Sequence, residues 1–421
     1  MKFRGVLRSI TKAGPTPVTT TSTTSRDACV CVLGVGYVGE SLLSQFGNVV
    51  DTIGYDISQA RIDTLRQKYR NSSRIKLTTN PAEIAKGTHF LIAVPTPLQD
   101  DGHGNKSADL HCVKDAINLI ITHAQPGSCI IIESSVPVGT TRKLLTKHKS
   151  TFHCGMSPER IDPGRITPTA EQIPKVVSAL TPKAMKHIFS MYAMVYETLV
   201  PVSKPEVAEM TKLYENCYRM VNIAYVNEIS DACISHGIDP HEMIGAAATK
   251  PFGFQPFYPG LGVGGHCIPI NPWYLFENNK RLKVLETATR LMQERPTRQA
   301  RRFHTACQGR LSKTDTVSET VVGPRILVVG LGFKNGQTNL ACSPALSFAQ
   351  TMSSLGTSRL AFYDPTISSD QVQWMEKLDE RHWTQEYIES EFDGVVLCNK
   401  LKLIDSTWFD KLRKPLFKDY A

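Results

Sequence analysis

The chain has 421 residues, 41% of them hydrophobic, which is enough for two or three domains with substantial cores. Its formal charge is +9, but residues 1–26 carry five of the positive charges and no acid, and the +4 left elsewhere is too small and scattered for a nucleic-acid surface. No apolar run is long enough to span a membrane, and the eleven cysteines lack framework or zinc spacing, so they read as reduced thiols of a cytoplasmic protein with no metal site. A mildly basic enzyme acting on anionic ligands fits what is left.

Residues 1–27 are basic and hydroxyl-rich and share some features of a presequence; the plainer reading, a disordered tail, is adopted. An apolar run at 30–33 then predicts a strand. Gly34-Val-Gly36-Tyr-Val-Gly39 follows it, a helix is expected over 41–46, and a second strand at 52–55 ends at Asp56. In this context the first glycine makes a tight turn, the second admits a pyrophosphate, and the third lets helix and strand pack. The helix start offers free N–H groups to phosphates. Asp56 is placed to accept from the adenosine ribose and to repel a 2′-phosphate, so NAD is expected over NADP. Tyr37 and Val38 in the turn, and Arg61 beyond Asp56, are assigned to the same cofactor site.

Further strands are predicted at 90–94 and 129–132. Pro95, Thr96, Glu133 and Ser135 lie just past their ends, where an open α/β sheet binds ligands, and are expected at the nicotinamide half. A long helix is predicted over about 205–235. Val207, Met210, Tyr214, Cys217, Val221 and Ala224 recur at steps of three and four, a stripe that needs a partner. At about 45 Å the helix is long enough to bridge domains or subunits. The polar stretch 308–322 reads as a surface linker. A strand at 325–329, Gly330, Gly332, a helix at 343–355 and a strand at 360–363 ending at Asp364 repeat the first pattern. The glycine-to-acid distance is 34 residues here against 22 in the first copy, so this turn is read as rebuilt for another ligand.

The expected class is therefore α/β. Two Rossmann-like, doubly wound parallel-sheet domains (28–200 and 324–421) are joined through a long central helix and a helical dimerisation region (201–305), with a linker at 306–323. Between the sheets lies Gly260-Leu-Gly-Val-Gly-Gly-His-Cys267-Ile-Pro-Ile-Asn-Pro272. Its glycines allow close backbone approach, and its prolines stiffen the exit. With NAD, a cysteine presented this way suggests oxidation through a thiohemiacetal and a thioester.

Several motifs occur together in order: Gly34–Gly39, Val94–Pro97, Glu133–Thr141, Met156-Ser-Pro-Glu159-Arg160, the 208–216 segment with Lys212 and Asn216, and Gly264-Gly-His-Cys-Ile-Pro269. On these the chain resembles the UDP-glucose/GDP-mannose 6-dehydrogenase family over about 28–400. The 157–164 and 249–259 segments are most similar to the branch that oxidises UDP-N-acetylhexosamines. The resemblance implies a four-electron oxidation of C6 from alcohol to carboxylate, using two NAD and no metal. It implies that Cys267 is the nucleophile, that Lys212 and Asn216 stabilise an oxyanion and hold a water, and that Glu159 assists proton transfer. Phe254, Phe257, Tyr258, Gly260 and Gly264 are implied to line the substrate loop and Lys334 to reach the sugar nucleotide, with His266 a minor candidate for tuning Cys267. A homodimer or larger homo-oligomer is implied.

Two positions depart from the family pattern. Asn271 stands where the family has an aspartate. It can orient a water but cannot take its proton, so either Glu159 carries the proton alone or the acyl stage drains slowly. The family's arginine before Ser343 is also missing, which lowers the expected affinity for a UDP-sugar or points to a different ligand. UDP-glucose is the second substrate choice. The competing class is a catalytically weakened relative that binds NAD or a nucleotide sugar as a scaffold.

Overall fold

The computed structural model describes residues 28–100, 102, 106–162, 167–314, 323–334, 338–399, 401, 408–413 and 415–420. The expected tail at 1–27 lies outside them.

The first sheet contains β1 (Cys29–Leu33), β2 (Asp51–Tyr55), β3 (Ile75–Thr78) and β4 (His89–Ile92). A small hairpin follows, β5 (Leu98–Asp100) with β6 (Lys106–Ala108). The sheet then continues with β7 (Cys129–Ile132), β8 (His153–Met156), β9 (Lys175–Ala179) and β10 (Leu199–Pro201). Its spatial order is β10-β9-β8-β7-β4-β1-β2-β3. All neighbours run parallel except β8 and β9, so the expectation of a wholly parallel sheet is corrected at that pair. Alternation sorts the strand residues onto two faces. Val30 and Val32 join one buried core, while Cys31 and Leu33 join the other. The covering helices are α1 (Tyr37–Gly47), α2 (Gln59–Lys68), α3 (His111–His123), α4 (Thr140–Leu145) and α5 (Pro182–Tyr192).

The helical region comprises α6 (Pro205–His236), α7 (Pro240–Ala248), α8 (Asn271–Phe276) and α9 (Lys283–Thr314). The long helix was expected. Its stripe is corrected: Cys217 and Ala224 are buried with Leu213 and Met220, but Met210 and Tyr214 are 40% and 66% exposed. Both sets recur at steps of three and four, so the pattern alone does not say which face turns inward.

The second long helix, α9, is absent from the sequence reading. It runs to Thr314, so the linker expected at 306–323 is helix in its first half, and 315–322 lie outside the described residues. Its polar stretch is rich in straight-chain residues that favour helix without an apolar period. Leu285, Ala288 and Met292 of α9 pack into the core of α6 and α8. Further along, Ala300, Phe303 and Cys307 enter the core of the second sheet. One helix thereby ties the two bodies together.

The second sheet holds β11 (Arg325–Val329), β12 (Arg359–Tyr363), β13 (Glu376–Lys377), β14 (Gly394–Leu397) and β15 (Leu416–Asp419), with α10 (Pro344–Ser354) and α11 (Gln385–Glu391). The order is β13-β12-β11-β14-β15 and every pair is parallel.

Candidate active site

The first sheet reverses its order between β1 and β4, which opens a crevice at the strand ends. The glycine turn lies there. Gly34 has φ +83°, and a Cβ on it would sit 2.8 Å from the Ala93 carbonyl oxygen. A Cβ on Gly39 would fall 1.8 Å from the Gly34 oxygen, so no side chain fits between turn and helix. Gly36 has no heavy atom within 4 Å of where its Cβ would be, which leaves open space at the helix start. Asp56 is half-buried at the end of β2, accepting from the Val35 N–H at 3.0 Å and the Ser58 N–H at 2.9 Å. Open space, a free helix N-terminus and an anchored acid together fit a dinucleotide.

Tyr37 is 51% exposed beside this turn, whereas Val38 leans on the core. Arg61 braces the turn from outside: its Nε donates to the Val35 carbonyl at 2.8 Å, and it pairs with Glu40.

The second copy has closed the equivalent position. Asp364 is 1% exposed. It accepts from the N–H groups of Leu331 and Gly332 and from the N–H and hydroxyl of Thr366. Tyr363 stacks on Trp383 at 3.8 Å. With its oxygens spent on the chain, Asp364 has little left for a ribose.

Cys267 is exposed, at the start of a turn whose backbone N–H groups from Ile270 and Asn271 bond back to its carbonyl. The glycines before it allow a close protein contact. A Cβ on Gly264 would lie 2.4 Å from Phe333 and 2.9 Å from Pro344, and one on Gly265 would lie 2.8 Å from the Phe333 ring. They let the loop pack against the second sheet's domain. Gly260 is held by the Asn227 side chain at 2.9 Å and by the Arg295 guanidinium, itself paired with Asp231. His266 meets Asn339 at 2.6 Å. Lys334, from the same domain, pairs with Asp162 at 2.9 Å.

Asn216 and Asn271 are both buried, and the Asn216 amide donates to the Asn271 oxygen at 2.6 Å. Lys212 is half-buried one turn before Asn216 on α6 and exerts its charge on Glu159. Arg160 pairs with Glu215, tying the Glu159 loop to the same helix. Tyr274, seven residues after Cys267, donates to the Thr96 carbonyl, and the Thr96 hydroxyl donates to Ser135 at 2.9 Å. The cysteine loop and the strand-end residues therefore form one connected wall, with Pro95 exposed on it. Phe257 and Tyr258 sit elsewhere, against Tyr218 of α6 and His241 of α7. Phe254 is 43% exposed in the same segment.

Glu133 is corrected. It is 1% exposed, and its oxygens accept from Lys175 at 2.6 Å and from Tyr192, so it faces the interior and not a nicotinamide. Lys175 also donates to Glu159 at 3.0 Å. Sequence reasoning missed Lys175, Tyr192 and Tyr274. For Lys175 the signal was a lysine heading a strand of otherwise small and apolar residues, since lysine is almost never fully buried unless paired.

Comparison with known proteins bears on this wall. The model of the UDP-glucose/GDP-mannose dehydrogenase family, NAD binding domain, matches residues 28–200, and that of the family's central domain matches 206–295. The chain is 30% identical to the UDP-N-acetyl-D-glucosamine 6-dehydrogenase of Pseudomonas aeruginosa, covering 82% of this chain and 84% of that protein. It is 28% identical to the UDP-N-acetyl-D-mannosamine dehydrogenase of Methanococcus vannielii, covering 92% and 90% respectively. The structure of UDP-D-ManNAc dehydrogenase from Pyrococcus horikoshii superposes with a TM-score of 0.82 at 25% identity, covering 93% of this chain and 95% of that one.

Proposed function

Because this chain belongs to the UDP-glucose/GDP-mannose dehydrogenase family, we propose that it is an NAD-dependent UDP-sugar 6-dehydrogenase acting on a UDP-N-acetylhexosamine. The observation that carries this reading is the exposed Cys267 on a wall that also holds Asn216, Asn271 and the strand-end loop of an NAD-type crevice. Gly36, the start of α1 and Asp56 would hold NAD, which supplies the hydride acceptor for both oxidations of C6.

The chain's residues do the rest. The Cys267 sulfur adds to the C6 aldehyde, and the oxidised adduct is a thioester. Lys212 and the Asn216 amide stabilise the oxyanion. A water gives a proton to Glu159 and attacks the thioester carbonyl; the tetrahedral adduct collapses, freeing the carboxylate and the sulfur. Asn271 spends its oxygen on Asn216, which leaves its own N–H₂ to orient that water and Glu159 as the proton acceptor. Lys334, released from Asp162, would reach the nucleotide.

The test is NADH formation from NAD and a panel of UDP- and GDP-sugars, with the Cys267 adduct followed by intact mass. A UDP-N-acetylhexosamine is expected to give two NADH per sugar, and UDP-glucose less. An acyl-enzyme should accumulate, and Asn271→Asp should shorten its lifetime. If no donor yields NADH, the scaffold reading takes over; an unchanged lifetime would clear Asn271 of slow release.

The exposed face of α6 supports a homodimer. Met210, Tyr214, Tyr218 and Tyr225 lie along one side, between 39% and 66% exposed, a row of large side chains of the kind a partner surface covers. Sedimentation velocity should show a dimer that Tyr214→Glu with Tyr225→Glu converts to monomer. A wild-type monomer would remove this assignment.

A further inference from the structure

A second carboxylate and a lysine lie behind Glu159, sealed from water. Lys175 is 2% exposed, Glu133 1% and Glu159 7%, and three strand ends bring them together. Glu133 follows β7, Glu159 follows β8, and Lys175 opens β9. The antiparallel turn of β9 onto β8 puts Lys175 beside both carboxylates.

The two carboxylates are held differently. One oxygen of Glu159 accepts from the backbone N–H groups of Arg160 at 2.6 Å and Ile161 at 3.0 Å; the other accepts from Lys175. Among the described residues the Glu133 carboxylate accepts from Lys175 and the Tyr192 hydroxyl alone. Burial pushes Glu133 up to about 7, against the pull of Lys175 and helped by the Glu159 charge. Burial presses on Glu159 too, but Lys175 and the Arg160 N–H outweigh it and hold it below the usual carboxylate range. Other groups facing the trio are Tyr192 and Tyr196, whose rings lie 5.5 and 5.4 Å from the Lys175 ammonium, and Lys212 on α6. Lys175 itself is raised: burial lowers it, and the two carboxylates more than compensate.

We propose that Lys175 is a positioning residue for the dehydrogenase, keeping Glu159 ionised and fixed at the cysteine wall, and that Glu133 competes for the same ammonium and is the member of the trio that protonates first. The proposal rests on the role given to Glu159 above. One ammonium cannot fully neutralise two buried carboxylates, so the carboxylate with fewer donors yields. Neither Lys175 nor Glu133 touches the reacting atoms; both act through Glu159.

The experiment compares Lys175→Met, Lys175→Arg and Glu133→Gln in the full-length protein. Glu159 ionisation is read directly by the carboxylate infrared band that Glu159→Gln removes, alongside the pH profile of acyl-enzyme release. Lys175→Met should raise the pH at which Glu159 ionises by about one unit or more and carry the acid limb of release up with it. Lys175→Arg should restore both towards wild type. Glu133→Gln should leave both close to wild type, because Glu133 is already neutral where Glu159 titrates, and should remove a second carboxylate band that titrates at higher pH.

A folded Lys175→Met protein whose Glu159 band titrates as in wild type overturns the proposal, whatever happens to its rate. If Lys175→Met fails to fold, a wild-type protein in which the band that Glu133→Gln removes titrates at or below the pH of the Glu159 band overturns it equally. Absence of NADH from wild type with every sugar sinks the dehydrogenase reading instead. The band still decides whether Lys175 holds Glu159 ionised.

Discussion

Cys267→Ala should lower NADH formation from the preferred UDP-sugar by about 10³-fold or more, with NAD binding and melting temperature unchanged. Cys267 is exposed and ends a loop held on several sides: Asn227 and Arg295 at Gly260, Phe333 and Pro344 at Gly264, and Tyr274 downstream. Removing the sulfur touches none of these supports, so the loss reports chemistry and not folding. Cys342 provides the control, being also exposed. Cys342→Ala should keep activity within about twofold, since no bond to the substrate is assigned to it. The assay is initial NADH production at saturating NAD, with the adduct read by intact mass. Cys267→Ala turnover within tenfold of wild type would place the nucleophile elsewhere.

The second and third glycines of the turn should respond in opposite ways to one added methyl group. At Gly39 a Cβ would lie 1.8 Å from the Gly34 oxygen, a backbone atom that cannot step aside without breaking the turn. Gly39→Ala is therefore expected to cost about 3 kcal/mol, an overpacking penalty at the upper end. For a domain of this size that lowers the melting temperature by roughly 6–12 °C. At Gly36 a Cβ meets nothing within 4 Å. Gly36→Ala should melt within about 2 °C of wild type yet bind NAD at least about tenfold more weakly, because the methyl group fills the space meant for the pyrophosphate. Thermal melts and NAD titration on both variants decide the matter. Equal stability loss at the two positions, or undiminished NAD affinity in Gly36→Ala, would show that the turn does not hold the pyrophosphate.

Much of this could be read from the chain itself because the signals are local. The glycine turn, Asp56 and the strands around them require only neighbours in sequence, and each was found near its expected place. The same holds for the second sheet's first strands and for α6. Glu133 was misplaced because strand-end position says where a residue emerges, not which way its carboxylate turns. Its direction depends on Lys175, 42 residues away.

Backbone rules that act over a few residues thus specified the α/β class, the cofactor turn and the loop presenting Cys267. What needed the folded chain was every choice among equivalent faces and partners. The stripe on α6 has two readings, and burial against α8 and α9 selects one. The glycines before Cys267 allow close approach of something, and the tertiary contact shows that it is Phe333 and Pro344. Asp56 and Asp364 end matching strands, yet one stays half-buried while the other is consumed by four donors. The physical reason is common to all three: a side chain's partner is set by what is packed within a few ångströms, and that neighbourhood is assembled from residues far apart along the chain.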